Sequence, residues 1–357
     1  MRVLLIKMSS LGDVVHSFPA VSDLLAARPD VQLDWVVEEG YADLVRLHPG
    51  VNNIKPIALR LWRRHPWRYR DDWRRFSRAL RSRHYDLIID AQGLIKSALV
   101  TRLARGRLRA GPDRQSARES LAAWAYGRRL PVPRGQHAID RTRQLLAQAC
   151  DYPLSDSAPD FGLRIAVAPA TAQPAMVFLH GTSWDNKLWP LAYWQALTGL
   201  ALDAGFRVLL PSGSDAEQAR GVAIADGRSG AEVLPPGSLA QLSAQLATAA
   251  GVVTVDTGLG HLAAALDRPT VALYGPTSPQ LTGIRGASAI SLEGRFPCAP
   301  CLQRRCTYLG PQVSWNGQEV QPACLAQLGP DQVWTVLGQQ MRSADPDATA
   351  ARPVFGP

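Results

Sequence analysis

Gly251-Val-Val-Thr-Val-Asp256-Thr257-Gly258-Leu-Gly260-His261-Leu-Ala-Ala-Ala reads as a buried strand, a sharp turn and a helix start. Val252, Val253 and Val255 supply the β-branched run, Gly258 and Gly260 permit a tight turn and close approach of a ligand, and residues 262–266 begin an apolar helix. The first amides of such a helix lack intrahelical partners and sit at the positive end of its dipole, so they can hold a phosphate. A plain helix cap at Asp256 or Thr257 is the alternative reading.

Strand-like runs alternate with helical patterns on both sides of this stretch. Before it come a strand at 3–6, a helix over 13–27 that Pro19 should kink or restart, a strand at 33–37, another at 85–90 and an apolar helix near 97–103. A Pro-, Ala- and Ser-rich stretch around 152–174 interrupts the pattern. It restarts with a strand at 176–180, a helix opened by Pro190, a strand at 206–211, a helix over 215–225, a short strand at 233–234 and a capped helix over 238–249; a strand at 270–274 follows the opening motif. The reading is α/β, with two doubly wound Rossmann-like domains: 1–160, a linker at 161–174, 175–342, and a disordered polar tail at 343–357. Ligands in such sheets bind outside the carboxyl ends of the strands, so the loops after Lys7, His180, Pro211, Asp256 and Tyr274 are expected to face a shared cleft.

The 357 residues are about twice the usual domain size, and 46% apolar content fits a globular protein. No apolar run approaches the roughly 20 residues needed to span a bilayer, and the apolar run before Lys7 is too short for a signal-peptide core, so a cytoplasmic protein is expected. The net charge of +9 is concentrated: residues 60–83 hold ten arginines against Asp71 and Asp72, a local excess of +8. Trp62, Trp67, Tyr69, Trp73 and Phe76 are interleaved there, a mixture that suits nucleic acid, an anionic membrane surface or an acidic glycolipid, with a solvated basic face as the plain alternative. Residues 60–69 read as a loop leading into a helix that the aspartate pair caps, with Trp73, Phe76 and Leu80 at helical spacing.

The loop Met8-Ser-Ser-Leu-Gly-Asp13 lacks both the Gly-x-Gly-x-x-Gly dinucleotide signature and the Gly-Lys-Ser/Thr of a nucleoside-triphosphate loop, which argues against a dehydrogenase or an ATPase. Asp13, at a helix start, is a candidate general base or a cap. In His180-Gly-Thr182-Ser183-Trp-Asp-Asn-Lys187, two hydroxyls and a compact cation fit a diphosphate better than a neutral ligand. Glu217 is placed to accept from ribose hydroxyls, or is an exposed helix-start glutamate.

Taken in order, Arg2-Val-Leu-Leu-Ile-Lys-Met-Ser-Ser-Leu-Gly-Asp-Val-Val-His16, Asp34-Trp-Val-Val-Glu-Glu39, Asp90-Ala-Gln-Gly-Leu-Ile-Lys96, the Lys187 loop, Val255-Asp-Thr-Gly-Leu-Gly-His261 and Tyr274-Gly-Pro-Thr277 resemble the lipopolysaccharide core heptosyltransferases of glycosyltransferase family 9 over nearly the whole chain. The resemblance implies the two-domain GT-B architecture, inversion at the anomeric carbon, and no cofactor or metal for catalysis. It implies ADP-heptose as donor on the second domain and a 3-deoxy-manno-octulosonic acid (Kdo) residue of Kdo-lipid A as acceptor on the first, at the cytoplasmic face of the inner membrane. By position, Asp13 would be the general base. Lys187, Thr182, Ser183 and the turn Asp256, Thr257, Gly258 would stabilise charge on the leaving diphosphate, with His261 near the phosphates and Glu217 on the ribose. Arg60, Arg63, Arg64 and Arg118 match basic acceptor-side positions. Peripheral contact with the anionic membrane surface, and no nucleic acid, completes the set of expected partners.

Cys298, Cys301, Cys306 and Cys324 depart from the plainest form of this pattern and have the spacing of a four-thiolate knuckle for structural zinc or iron, with reduced, unliganded thiols as the alternative. Two other functions stay open: a related GT-B transferase for another sugar or acceptor, and a non-enzymatic basic protein binding RNA or membrane through 60–83.

Overall fold

The computed structural model describes residues 1–165, 173–311 and 313–344. The expected linker at 161–174 lies in part, and the expected disordered tail almost wholly, outside the described residues; Ser343 and Ala344 close the last helix. The chain divides into two compact units, Met1–Arg164 and Ile165–Pro357.

Unit one runs β1 (Arg2–Ile6), α1 (Leu11–Val15), α2 (Phe18–Ala27), β2 (Gln32–Glu38), α3 (Ala42–Arg46), β3 (Val51–Ile57), α4 (Leu59–Arg64), α5 (Arg70–Arg81), β4 (His84–Asp90), α6 (Ile95–Leu103), β5 (Arg105–Pro112), a 3-10 turn (Ser120–Ala125), β6 (Arg128–Leu130) and α7 (Ala138–Cys150). Its six strands form one parallel sheet in the order β3-β2-β1-β4-β5-β6. The chain therefore winds outward from β1 in one direction and from β4 in the other, and the switch point lies between these two strands. Val3, Leu4, Leu5 and Ile6 are wholly buried, as a central parallel strand covered on both faces requires. The expected break at Pro19 is present: α1 ends at Val15 and α2 starts at Phe18 with Pro19 in its first turn, where a missing N–H costs nothing.

Two readings of the basic segment are corrected. Residues 59–64 form the short helix α4 where a loop was expected, and α5 starts at Arg70 with no side-chain cap. Asp71 and Asp72 lie inside the first turn of α5 and pair with Arg74 and Arg75 one turn on, favourable positions for carboxylates near a helix N-terminus. Phe76 and Leu80 do turn into the core, against Leu4, Ile6 and Tyr85.

Unit two runs β7 (Ala175–Leu179), α8 (Leu191–Asp203), β8 (Arg207–Pro211), α9 (Asp215–Ala225), β9 (Ala231–Leu234), α10 (Leu239–Thr248), β10 (Gly251–Val255), α11 (Gly258–Ala265), β11 (Thr270–Tyr274), α12 (Pro279–Thr282), β12 (Ala289–Glu293), a hairpin of β13 (Val313–Trp315) and β14 (Gln318–Val320), α13 (Ala323–Ala326) and α14 (Pro330–Ala344). The parallel sheet has the order β12-β11-β10-β7-β8-β9, so its switch point falls between β7 and β10. Phe178, Trp189, Trp194 and Phe206 fill the core, and the Trp189 indole N–H donates to the Leu328 carbonyl at 2.9 Å. Ser238 caps α10 by accepting from the Gln241 amide, as expected.

Candidate active site

In each unit the loops at the switch point carry some of the residues singled out from the sequence: Asp13 after β1, and the Lys187 and Asp256 loops after β7 and β10. In unit one, Asp13 follows β1. Its Oδ2 accepts from both the amide and the hydroxyl of Ser10 at 2.9 Å, so the capping geometry is real. Its Oδ1 lies 3.4 Å from the Lys7 ammonium, and the side chain keeps 27% exposure. Burial pushes the Asp13 pKa up, but the Lys7 charge, the Ser10 amide, the Arg118 charge and the Ser10 hydroxyl outweigh it and hold the carboxyl below its ordinary value. Asp13 is thus an anion at neutral pH.

The loop after β4 fixes the one after β1. Gln92 Oε1 accepts from the Met8 and Ser9 amides at 2.8 and 3.1 Å, and its Nε2 donates to the Ser9 carbonyl. Buried Asp90 anchors that loop by accepting from the Gln92 and Gly93 amides and from the Tyr126 hydroxyl. Gly93 has a φ of +65°, and a Cβ there would stand 3.1 Å from Pro112 and 3.3 Å from the Arg118 amide. Only glycine suits that backbone, and it lets the loop lie against the Arg118 stretch, where the Glu119 amide donates to the Gly93 carbonyl at 3.0 Å. Lys96 reaches the Ser9 hydroxyl at 3.4 Å.

Arg60, Arg63 and Arg64 lie on α4 and are exposed. Buried Glu38, at the end of β2, lies against the Leu59 and Arg60 amides at the start of that helix. Burial raises its pKa, against the pull of those amides and of the Arg60 and Lys96 charges. Lys7, Glu38 and Gln92 were not assigned roles from the sequence; each acts through the tertiary fold, and their only local signal is membership of the motifs at 2–16, 34–39 and 90–96.

In unit two, the Lys187 loop follows β7 and the Asp256 turn follows β10. The structure brings them together: Lys187 Nζ lies 2.6 Å from Asp256 Oδ2, with the pair 13% and 9% exposed. The Thr277 hydroxyl donates to the same oxygen at 2.7 Å, and the Thr182 hydroxyl donates to the Asp256 carbonyl at 3.2 Å. His261 Nε2 stands 3.9 Å from Asp256 Oδ1. Lys187 also lies 4.3 Å from the centre of the Trp184 ring, a cation–π contact. Asp256 is therefore the hub of the site, and Thr257 holds the N-cap position of α11 with no side-chain bond to its amides. Helix α11 begins at Gly258, four residues before the expected apolar start. Ser183 is exposed beside this cluster.

Glu217, in the first turn of α9, accepts from the Gly213 amide at 2.7 Å. It lies over Gly181, where a Cβ would come 2.4 Å from its carboxylate, so a side chain at 181 would displace it. Thr277, which shares the Asp256 carboxylate, has no role assigned from the sequence, where its only signal is membership of Tyr274-Gly-Pro-Thr277.

The four-thiolate knuckle is not formed. All four cysteines are free, and among the described residues no group of three or more His, Cys, Asp or Glu side chains could hold a metal ion. Cys324 is buried on α13 and its thiol pKa is pushed up to about 11 by burial and then by the nearby Cys298, Cys301 and Cys306 thiols. Cys298 and Cys306 are on the surface loop. The thiols are neighbours without converging on a common point.

Two parallel six-stranded α/β units, with Asp13 at the switch point of the first and the Lys187–Asp256 pair at that of the second, have the GT-B glycosyltransferase fold. The chain belongs to glycosyltransferase family 9, the heptosyltransferases, whose family model matches residues 73–310. It is 50% identical over 344 residues to lipopolysaccharide heptosyltransferase 1 of Pseudomonas aeruginosa, covering 94% of this chain and 97% of the relative. The structure of E. coli heptosyltransferase WaaC with ADP superposes with a TM-score of 0.83 at 38% identity, covering 95% of this chain and all of the other. The same enzyme with ADP-2-deoxy-2-fluoro heptose gives a TM-score of 0.78 at 37% identity, over 95% and 99% of the two chains.

Proposed function

We propose that this chain transfers heptose from ADP-heptose to a Kdo residue of Kdo-lipid A, the first heptose addition to the lipopolysaccharide inner core. The observation that carries the donor half is the Lys187–Asp256–Thr277 cluster beside the α11 N-terminus. A held ammonium, the exposed hydroxyl of Ser183 and helix amides supply fixed positive potential for a diphosphate. In this reading the β-phosphate oxygen leaves as the glycosidic C–O bond breaks, and Lys187 with the α11 amides stabilises the charge that grows there. Glu217 accepts from the ribose hydroxyls, and His261 supports the phosphate side through Asp256. The complexes of E. coli heptosyltransferase WaaC with ADP and with ADP-2-deoxy-2-fluoro heptose favour the same donor.

Asp13 serves the acceptor half. Its ionised carboxylate takes the proton from the Kdo hydroxyl as that oxygen bonds to the anomeric carbon, from the face opposite ADP, which inverts the configuration. Arg60, Arg63, Arg64 and Arg118 provide cationic partners for the carboxylates and phosphates of the acceptor. The acceptor is a lipid, so the enzyme works in peripheral contact with the anionic inner-membrane surface; no helix among the described residues is long and apolar enough to cross it. Incubation of the purified chain with ADP-heptose and Kdo-lipid A should release ADP and give a product heavier by one heptose on mass spectrometry. ADP release without that product, or the product from a UDP-sugar instead, would overturn the assignment.

A further inference from the structure

The connections β3 to β4, β4 to β5 and β5 to β6 all run in one direction across the unit-one sheet, so right-handed crossovers place α5, α6 and the 3-10 turn on one face. α6 packs against both α5 and the turn, while α2 and α7 pack together elsewhere. That face exposes large apolar side chains among its charged ones. Trp67 is 88% exposed, Leu121 61%, Leu99 56% and Trp124 50%, and of the nine exposed large apolar side chains among the described residues of unit one, six lie on α4, α5, α6 and the turn and a seventh, Trp67, on the link between α4 and α5. The pattern is built in: Ile95, Leu99 and Arg102 form an outward stripe on α6, whose other face buries Ala98, Val100 and Thr101. The Arg102 guanidinium lies 5.6 Å over the Trp124 ring, joining the stripe to the turn.

We infer that the α4–α5–α6 face, with the turn at Ser120–Ala125, is the surface by which unit one docks on an anionic lipid bilayer, with Trp67 and the Leu99–Leu121–Trp124 patch entering the headgroup region. Charge complementarity selects the occupant. Ten arginines in residues 60–83, against two aspartates, lie on α4, α5 and the adjoining links, and α5 packs against α6; tryptophan with arginine is the composition of an interfacial membrane contact. Exposed leucines on α6 and the turn find no use on RNA, whose recognition rests on stacking and phosphate contacts, whereas acyl chains take them up. The inference rests on the reading above that the acceptor is lipid-borne, and it adds the elements that reach the lipid.

The test uses the full chain, vesicles of phosphatidylethanolamine and phosphatidylglycerol, and vesicles of phosphatidylcholine alone. Binding by co-sedimentation should favour the anionic vesicles by about tenfold or more and weaken with salt. Leu99→Ser with Leu121→Ser, and separately Arg75→Glu with Arg78→Glu, should each weaken it about tenfold. Both variants should keep wild-type turnover on a soluble Kdo acceptor without acyl chains while losing it on vesicle-borne Kdo-lipid A. Equal binding to both vesicles, no effect of salt, unchanged binding by both variants, or stronger binding to a single-stranded RNA homopolymer would each overturn the docking surface. Absence of turnover on the soluble acceptor by wild type, with vesicle binding intact, would instead sink the transferase reading.

Discussion

Lys187 Nζ and Asp256 Oδ2 are 2.6 Å apart in a nearly buried pair, and Thr277 shares the same carboxylate oxygen. A bare carboxylate inside the proposed diphosphate site would repel the ligand. Here it is covered by an ammonium and a hydroxyl, so its effect is to hold the cation in place. In the proposed donor site the positive charge is thus positioned in advance of the ligand, at the cost of sharing it with Asp256.

Lys187→Ala should weaken ADP binding by about tenfold or more and lower turnover as well, because the charge is used both in binding and as the diphosphate leaves. Asp256→Ala should act mostly through Lys187, so the double variant should fall short of additivity by about 1 kcal/mol or more. Titration calorimetry with ADP on the four proteins measures this coupling; additive losses would mean the two residues act separately.

The pH dependence of turnover follows from the Lys7 contact. Asp13 must be ionised to accept a proton, and its pKa is held down, so activity is present at neutral pH and lost only as pH falls through that lowered value. Lys7→Met removes the largest lowering influence while burial remains, so the acid limb of kcat/KM should move to higher pH by about one unit. An acid limb at the wild-type position would show that Asp13 does not govern it.

The switch-point strands were legible because β1 and β10 are short apolar runs bounded by glycine or polar turns, the pattern of a strand buried on both faces. β5 was missed for the opposite reason: Arg-Gly-Arg-Leu-Arg-Ala-Gly-Pro has no apolar run, and its first half is solvent-facing. α4 was read as a loop because six residues with three arginines carry little helical signal, and the carboxylate that lies against its first amides, Glu38, comes from another element. The cysteine spacing misled because spacing says nothing of whether thiols converge; Cys324 is held by its helix in the core. Within the site, residue types chosen for their chemistry were readable, whereas the groups that place them, Gln92 and Thr277, depend on loops far apart in sequence.

Stability of unit one should hinge on a different pair. Arg143 Nε lies 2.6 Å from Asp23, with both side chains nearly buried, and its other nitrogens donate to the Ser155 and Ser157 carbonyls at 3.1 Å. Arg143→Ala leaves Asp23 uncompensated and should cost about 3–5 kcal/mol. Arg46→Ala, which removes the exposed Asp43 pair, should cost no more than about 1 kcal/mol. Urea unfolding of the two variants checks the contrast, and equal losses would refute it.

The central claim is that Asp13 is the base and not only the cap of α1. Asparagine keeps an oxygen to accept from the Ser10 amide but cannot take a proton at neutral pH. Turnover of Asp13→Asn with ADP-heptose and Kdo-lipid A, measured beside its ADP affinity and thermal midpoint, separates the two roles. The account predicts turnover reduced by about 10²-fold or more, with affinity within about twofold and the midpoint nearly unchanged. Turnover within a few-fold of wild type would contradict it and leave Asp13 a helix cap.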